Sequence, residues 1–329
     1  MGQELRWGIL GAGEFVRKHM GPAIHAARGN RLVALATSTH VKAAPFEAFC
    51  PGLDVFLDYQ AMLEWEAIDA VYIPLPNTLH VEWTKRALEA GKHVLTEKPI
   101  AMKAAEIDGL IELRDQTGLL VAEAYMIVHH PQFIRAKEIV ASGEIGEVRH
   151  VDSVFCYDNG AEPDNIRNRP ETGGGGIRDI GVYTCSSARF LTGAEPLELT
   201  ARVKYENGVD TWAHVLGEME GPTGRFTYSA MTSMRLPPRQ EVVVQGSKGS
   251  LTISAPFNAG DFGVAAIHIR DLAGTIRTEQ WPRANHYVNQ VENFAHSVRT
   301  GADYPCPLEF SRGTQEMIDR IFEIATEMG

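Results

Sequence analysis

No stretch of this chain comes near the roughly 20 consecutive apolar residues that a bilayer-spanning helix needs, so a transmembrane helix is excluded. Basic residues are in short supply. Lys and Arg total 31 against 42 Asp and Glu, and the formal net charge of -11 would repel a phosphate backbone, which excludes a nucleic-acid binder. Cysteine is scarce too: Cys50, Cys156, Cys185 and Cys306 stand far apart with no Cys-x-x-Cys pair. That spacing gives neither a disulfide framework nor clustered zinc ligands, so free thiols in a reducing cytoplasm and no metal are expected. Met1-Gly2-Gln3-Glu4-Leu5-Arg6 lacks the basic-then-apolar order of a signal peptide, and Arg6 stands where a myristoylated Gly2 would require Ser or Thr. Repeats and low-complexity tracts are missing as well. What is present is globular: 329 residues, 44% hydrophobic and 22% charged, enough for two domains.

From residue 5 to about 122, short apolar runs alternate with helical patterns. Strands are expected at 5–10, 31–37, 70–73, 93–96 and 119–122, and helices at 14–27, 41–49, 79–90 and 104–116. That alternation predicts a doubly wound parallel sheet, and its nearly all-apolar strands predict a sheet buried on both faces. Beyond 122 the texture changes. Helices are expected at 131–142 and 177–191, then strands at 148–157, 197–205, 211–218, 224–230, 240–245, 250–254 and 265–270. Helical periodicity returns at 287–299 and 311–327. Strand runs joined by Gly-containing turns predict a mostly antiparallel sheet, so the expectation is an α/β chain with domains at 1–122 and 123–329.

Four motifs carry chemistry. Gly11-Ala12-Gly13-Glu14-Phe15 lies between the first strand and helix, where Gly11 permits a tight turn and Gly13 lets backbone approach a pyrophosphate. Val16 replaces the third glycine of the usual G-x-G-x-x-G pattern. The second strand ends in Thr37-Ser38-Thr39-His40-Val41-Lys42, with no acid before Glu47. Hydroxyls with Lys42 tolerate a 2′-phosphate that a carboxylate would repel, which favours NADP over NAD, although an exposed polar loop without preference fits the same residues. Pro74-Leu75-Pro76-Asn77-Thr78-Leu79-His80 and Glu97-Lys98-Pro99 fall just past strand ends, on the edge where open α/β sheets bind ligands. Pro99 keeps Lys98 extended, and by spacing alone that lysine is either functional or a solvated charge. Finally, Gly173–Gly176 precede Asp179 and Tyr183, which share a helix face at i, i+4. The glycines permit close approach of a ligand or of another backbone. Asp179 as a dipole-stabilising first-turn acid and Tyr183 as a core aromatic is the structural alternative. His129-His130 could line a substrate pocket or be a core pair, and Asn285 reads as the cap of the helix that begins near Tyr287.

The order of these motifs resembles the Gfo/Idh/MocA oxidoreductase family over essentially the whole chain. Ala122–Met126, 143–148 and 165–170 resemble its branch of NADP-dependent sugar and diol oxidoreductases. The resemblance implies a Rossmann domain followed by an α/β domain whose open-faced sheet commonly packs against a second copy, making a homodimer or dimer of dimers. It implies hydride transfer between NADP (or NAD) and a hydroxyl or carbonyl carbon of a sugar, polyol or diol. Lys98 then matches the catalytic lysine, Pro99 a frequently cis proline, Asp179 the motif acid and Tyr183 the acid/base. Gly11, Gly13, Glu14, Phe15, Thr37, Ser38, Pro74, Leu75, Asn77, His80 and Glu97 are expected at the cofactor, and Tyr125, Asn165 and Arg167 at the substrate. A lysine cation near a tyrosine would favour phenolate and tune a base whose free pKa is about 10. A cofactor-binding sensor without turnover and an NAD-dependent glycosidase are the alternatives within the same fold.

Overall fold

The computed structural model describes residues 4–222 and 224–328, so Gly2 lies outside the described residues. Two compact units make up the chain, one comprising residues to His129 plus His286–Arg312, the other His130–Asn285 plus the segment from Gly313.

In the first unit the strands are β1 (Leu5–Leu10), β2 (Asn30–Ala36), β3 (Asp54–Phe56), β4 (Ala70–Ile73), β5 (His93–Glu97) and β6 (Val121–Ala124). They form one parallel sheet in the order β3-β2-β1-β4-β5-β6, whose order reverses beside β1 and so opens a crevice at the carboxyl ends of β1 and β4. The expected all-apolar strands are buried throughout in β4 and β6. β3 was not anticipated, because three residues are too few to show a period. β6 begins two residues later than the expected start at 119. The first helix starts as a wide turn, Val16–Met20, and continues as Gly21–Ala26. Val16, in the place of a third glycine, is 1% exposed and serves the core.

The helix His286–Thr300 also belongs to this unit, although 1–122 was the expected extent of the first domain. Its reason is apolar burial: Phe294 is fully buried and lies 5.0 Å, ring to ring, from Trp7 of β1. Trp7 itself is held by its indole N–H, which donates to Asn30 Oδ1 at 2.8 Å. The same helix covers the turn Met126–His129, where the Asn293 amide meets His129 Nδ1 at 2.9 Å. His129 is thus a core residue.

The second unit holds β7 (Val148–Asp158), β8 (Glu195–Glu206), β9 (Val209–Gly221), β10 (Gly224–Ser233), β11 (Arg235–Gly246), β12 (Gly249–Ile253), β13 (Ala266–Asp271), β14 (Ile276–Gln280) and β15 (Ala325–Glu327). Their order is β14-β13-β12-β11-β7-β10-β9-β8-β15, antiparallel except where β10 meets β7 and β15 meets β8. Burial alternates along β8, β9 and β10, the mark of a sheet covered on one face. The helix Val182–Thr192, buried along its whole length, packs on β7 and β10. β14 was missed because Ile276-Arg277-Thr278-Glu279-Gln280 is largely exposed and carries no alternation. The last expected helix stops at Ile324, and Ala325–Glu327 pairs with β8 instead, a tertiary pairing that overrides local propensity.

All four cysteines are free and buried, and burial pushes the Cys185 thiol up to about 12, which leaves it unreactive. Among the described residues no helix is long and apolar enough to cross a membrane.

Burial holds His129 down at about 3 and His130 at about 4, so both are neutral in the folded chain while the unfolded chain titrates near 6.5. Between those values the unfolded state binds more protons, so stability is present above pH ~6.5 and declines on acidification by about 1.4 kcal/mol per pH unit for each such residue. Urea unfolding from pH 7 to pH 4 should show this slope. His129→Gln, which keeps an acceptor for Asn293 and cannot protonate, should make it shallower by about one proton.

Candidate active site

In the first unit, the candidate residues gather at the carboxyl ends of β1, β2, β4 and β5. Gly11 has φ +117°, a conformation closed to side chains, and its N–H donates to Ala36 O at 2.8 Å. A Cβ on Gly13 would meet nothing nearer than Val16 at 3.9 Å, so this backbone faces open space at the start of a helix. These are the features a pyrophosphate requires, and the turn fits a dinucleotide. Glu14 is turned to Arg17 at 2.6 Å and Lys18 at 3.1 Å, and Arg17 chiefly holds its carboxyl down at about 2. Phe15 packs against His19 and Tyr287 with ring separations of 5.1 and 5.7 Å, so Tyr287 sits behind the glycine turn.

Past β2, Thr37 is buried, whereas Ser38, Thr39 and Lys42 are exposed. Lys42 Nζ donates to Ser38 Oγ at 3.0 Å, and Thr39 caps the helix His40–Glu47 by accepting from the Lys42 N–H. This hydroxyl-and-ammonium rim has the polarity a 2′-phosphate needs.

Past β4 and β5 the two loops are tied to each other. His80 is fully buried, with Nδ1 2.8 Å from Pro99 O and Nε2 2.7 Å from Leu75 O. Burial pushes its pKa down against those two carbonyls. The expected cofactor contact of His80 is thereby replaced by an internal one, since a side chain with no exposed surface braces the loops from behind. Pro74 and Asn77 keep partial exposure on the same loop, while Leu75 is buried beside Gly11. The Lys98–Pro99 peptide is cis, as the resemblance implied. Glu97 accepts the Tyr72 hydroxyl at 2.5 Å and the Lys98 N–H at 3.2 Å. Glu123, on β6, accepts the Ile100 N–H at 2.9 Å. Burial pushes both carboxyls up, and the Lys98 cation opposes that shift in each. Glu97 is half-buried and Glu123 buried. Tyr125 is 1% exposed with its ring 6.5 Å from Phe310, a core position where substrate contact was expected.

In the second unit, a polar cluster forms around Asp179. Tyr157, at the end of β7, donates to Asp179 Oδ2 at 2.7 Å, and Arg167 Nε reaches the same oxygen at 2.9 Å. Burial first, then the Asp179 charge, pushes the Tyr157 phenol far up, so it is a hydrogen-bond donor at neutral pH. The Asp179 charge raises Arg167 as well. Asn165 caps the turn Ile166–Asn168 by accepting the Arg167 N–H at 3.0 Å and donates to Glu162, so it sets the turn that carries Arg167. Tyr183 is 5% exposed, its ring 5.7 Å from Phe155 and 5.5 Å from Phe257. Asp179 stands on the wide turn Ile177–Gly181 and Tyr183 in the α-helix Val182–Thr192 that follows it, where one regular helix was expected.

The sequence reading missed Tyr157, Glu123 and Arg235. Arg235 spans the loop before the glycines, donating to Glu206, Asn159 and Asn168 at 2.8–3.0 Å. Glu123 had a usable signal, an acid inside the otherwise apolar strand Val121–Ala124. Tyr157 had none, because an aromatic ending a strand is ordinary. Among the described residues no cluster of three metal-ligating side chains exists.

Comparison with known proteins agrees with this architecture. A family model described as an oxidoreductase family with an NAD-binding Rossmann fold matches residues 5–125, and one described as the GFO/IDH/MocA C-terminal domain matches 133–252. The chain is 33% identical over 323 residues to a dTDP-3,4-didehydro-2,6-dideoxy-alpha-D-glucose 3-reductase of Saccharopolyspora spinosa, covering 97% of this chain and 95% of that one. It is 32% identical over 322 residues to a D-xylose 1-dehydrogenase (NADP(+)) of Haloferax volcanii, covering 98% and 97%. Among solved structures it resembles a 3-ketoreductase from Actinomadura kijaniata in complex with NADP and TDP-benzene, with TM-score 0.89, 27% identity and 99% of each chain covered.

Tyr157→Phe removes one donor from a carboxylate while conserving the ring. It should cost about 1.5–3 kcal/mol in urea unfolding, the range for a hydrogen bond to a charged group, whereas a loss under about 0.5 kcal/mol would show that Arg167 alone satisfies Asp179.

Proposed function

The chain belongs to the GFO/IDH/MocA oxidoreductase family, and from that premise we propose that it is an NADP-linked dehydrogenase or reductase acting on a sugar, polyol or diol. The observation that carries this reading is the Asp179 cluster, where Tyr157 and Arg167 converge on one carboxylate oxygen a single turn before Tyr183. Such an array serves to hold hydroxyl groups in one orientation, and the sugar-acting relatives fit that use.

When bound, the nicotinamide supplies the hydride chemistry. Everything else is the work of this chain's residues. We assign Tyr183 as the acid/base that removes or returns the hydroxyl proton, and Lys98 as the cation that favours its phenolate. Phe155 and Phe257 hold the Tyr183 ring, which limits the angles its oxygen can take. Tyr157 cannot share the task, because burial and Asp179 keep it protonated. Glu97 and Glu123 hold the loop of Lys98 by accepting the Lys98 and Ile100 N–H groups. Gly11 and Gly13 receive the pyrophosphate, Glu14, Phe15, Pro74, Leu75 and Asn77 border it, and Ser38 with Lys42 takes the 2′-phosphate.

The outward face of β9 and β10 carries Trp212, His214, Leu216 and Met231, with Leu216 46% exposed, and supports a homodimer formed through this sheet. Four free buried thiols support a reducing cytoplasm as its location.

A panel of aldoses, polyols, inositols and diols with NADP or NAD, followed by reduced-nicotinamide absorbance, should show NADP-linked turnover. Silence across the panel with tight nucleotide binding would move the reading to a sensor. Lys98→Met and Tyr183→Phe should each lower kcat by about 10²–10⁴-fold with NADP affinity unchanged by calorimetry, and near-normal rates would remove both assignments. Ser38→Asp should lower kcat/KM for NADP relative to NAD by at least about tenfold, one unit charge set against the 2′-phosphate.

A further inference from the structure

One buried acid lies outside every role assigned above. Asp210, at the start of β9, is 2% exposed, and its Oδ2 accepts the Ile177 N–H at 2.6 Å. That donor opens the turn Ile177–Gly181, which carries Asp179. The glycines before that turn now have a physical reason. A Cβ on Gly175 would stand 2.1 Å from Asp210 Oδ1, and one on Gly174 would stand 2.5 Å from Arg167 O. Gly175 has φ +116°, its N–H donates to Arg167 O at 2.9 Å, and its carbonyl accepts the Asp179 N–H at 3.0 Å. The close approach those glycines permit is therefore that of the chain's own Asp210 carboxyl and Arg167 backbone.

We propose that Asp210 is a positioning residue for the reaction: by accepting the Ile177 N–H and filling the space beside Gly175 it fixes where the Asp179 turn begins, and with it the direction of Asp179, the Arg167 loop and Tyr183. This rests on the assignment of Asp179 and Tyr183 under the proposed function. The anchor acts as an acceptor. Burial pushes the Asp210 carboxyl up to about 7, opposed by the Ile177 N–H and by the Arg178 charge, while the Tyr205 phenol faces it from β8. A carboxyl oxygen facing Ile177 accepts whether or not the other oxygen is protonated, so an amide should serve in its place.

The test compares Asp210→Ala with Asp210→Asn in the full chain. In Asp210→Ala, kcat should fall on the order of 10²-fold, the cost of small misplacement of reacting groups, with KM for NADP within about twofold. Asp210→Asn should restore kcat to within about threefold of wild type, the net weight of one neutral hydrogen bond being small. Amide hydrogen exchange at 176–183 should quicken in the Ala variant and not in the Asn variant, because only the former frees the first-turn donor. Unchanged kcat or unchanged exchange in Asp210→Ala would overturn the proposal, as would equal damage from both variants. Should Asp210→Ala fail to fold, Asp210→Ser, whose shorter side chain cannot reach Ile177, takes its place under the same exchange readout. An inactive wild type would unseat the dehydrogenase reading, and the exchange comparison would still judge Asp210 on its own.

Discussion

The carboxylate of Asp179 is the point on which the second unit's chemistry hangs. One oxygen receives the Tyr157 phenol from the end of β7 and the Arg167 guanidinium from an irregular loop, and its backbone starts the helix of Tyr183. A buried anion persists only where donors and a countercharge meet it, so the strand, the loop and the helix must arrive together. The long loop before the glycines has little regular structure of its own. It is held by Arg235 bonding Asn159 and Asn168, by the Asn165 cap and by the Gly174 and Gly175 approaches, each a polar contact spread over the sequence.

The first unit solves a related problem with different parts. Parallel strands deliver loops to one edge of a sheet, but the loops need fixing before they can place a cofactor or a lysine. His80 links the loop after β4 to the one after β5 through two carbonyls, and Glu123 fastens the residue beyond Pro99. These groups are enclosed and polar, so each is costly to bury and retained where geometry has to be narrow. Lys98 lies on the loop that these contacts fix, its own N–H held by Glu97.

Much of the architecture was legible from period alone. Short, nearly all-apolar runs marked β1, β4 and β5, and strand-like runs joined by Gly-containing turns marked β8 to β12. Short or atypical elements escaped: β3 is three residues, β14 is mostly exposed, and β15 ends a segment that reads as helix. Spacing alone left Lys98, Asp179 and Tyr183 between structural and functional readings, and the roles proposed for them came from the family resemblance. His80, expected at the cofactor, and Tyr125, expected at the substrate, are both buried side chains. Tyr157 and Asp210 were invisible, since their meaning lies in which backbone or carboxylate they meet.

The sequence by itself determined the class of fold, the glycine turn with its polar rim at the end of β2, and the absence of a spanning helix, because each depends on local composition, periodicity or charge. Only the tertiary structure decided that His286–Thr300 covers Trp7 in the first unit, that His80 faces inward, and that the glycines at 174–176 receive Arg167 and Asp210. Those outcomes depend on which segments meet in space, where apolar burial and the satisfaction of buried polar groups choose among arrangements that local pattern leaves equal.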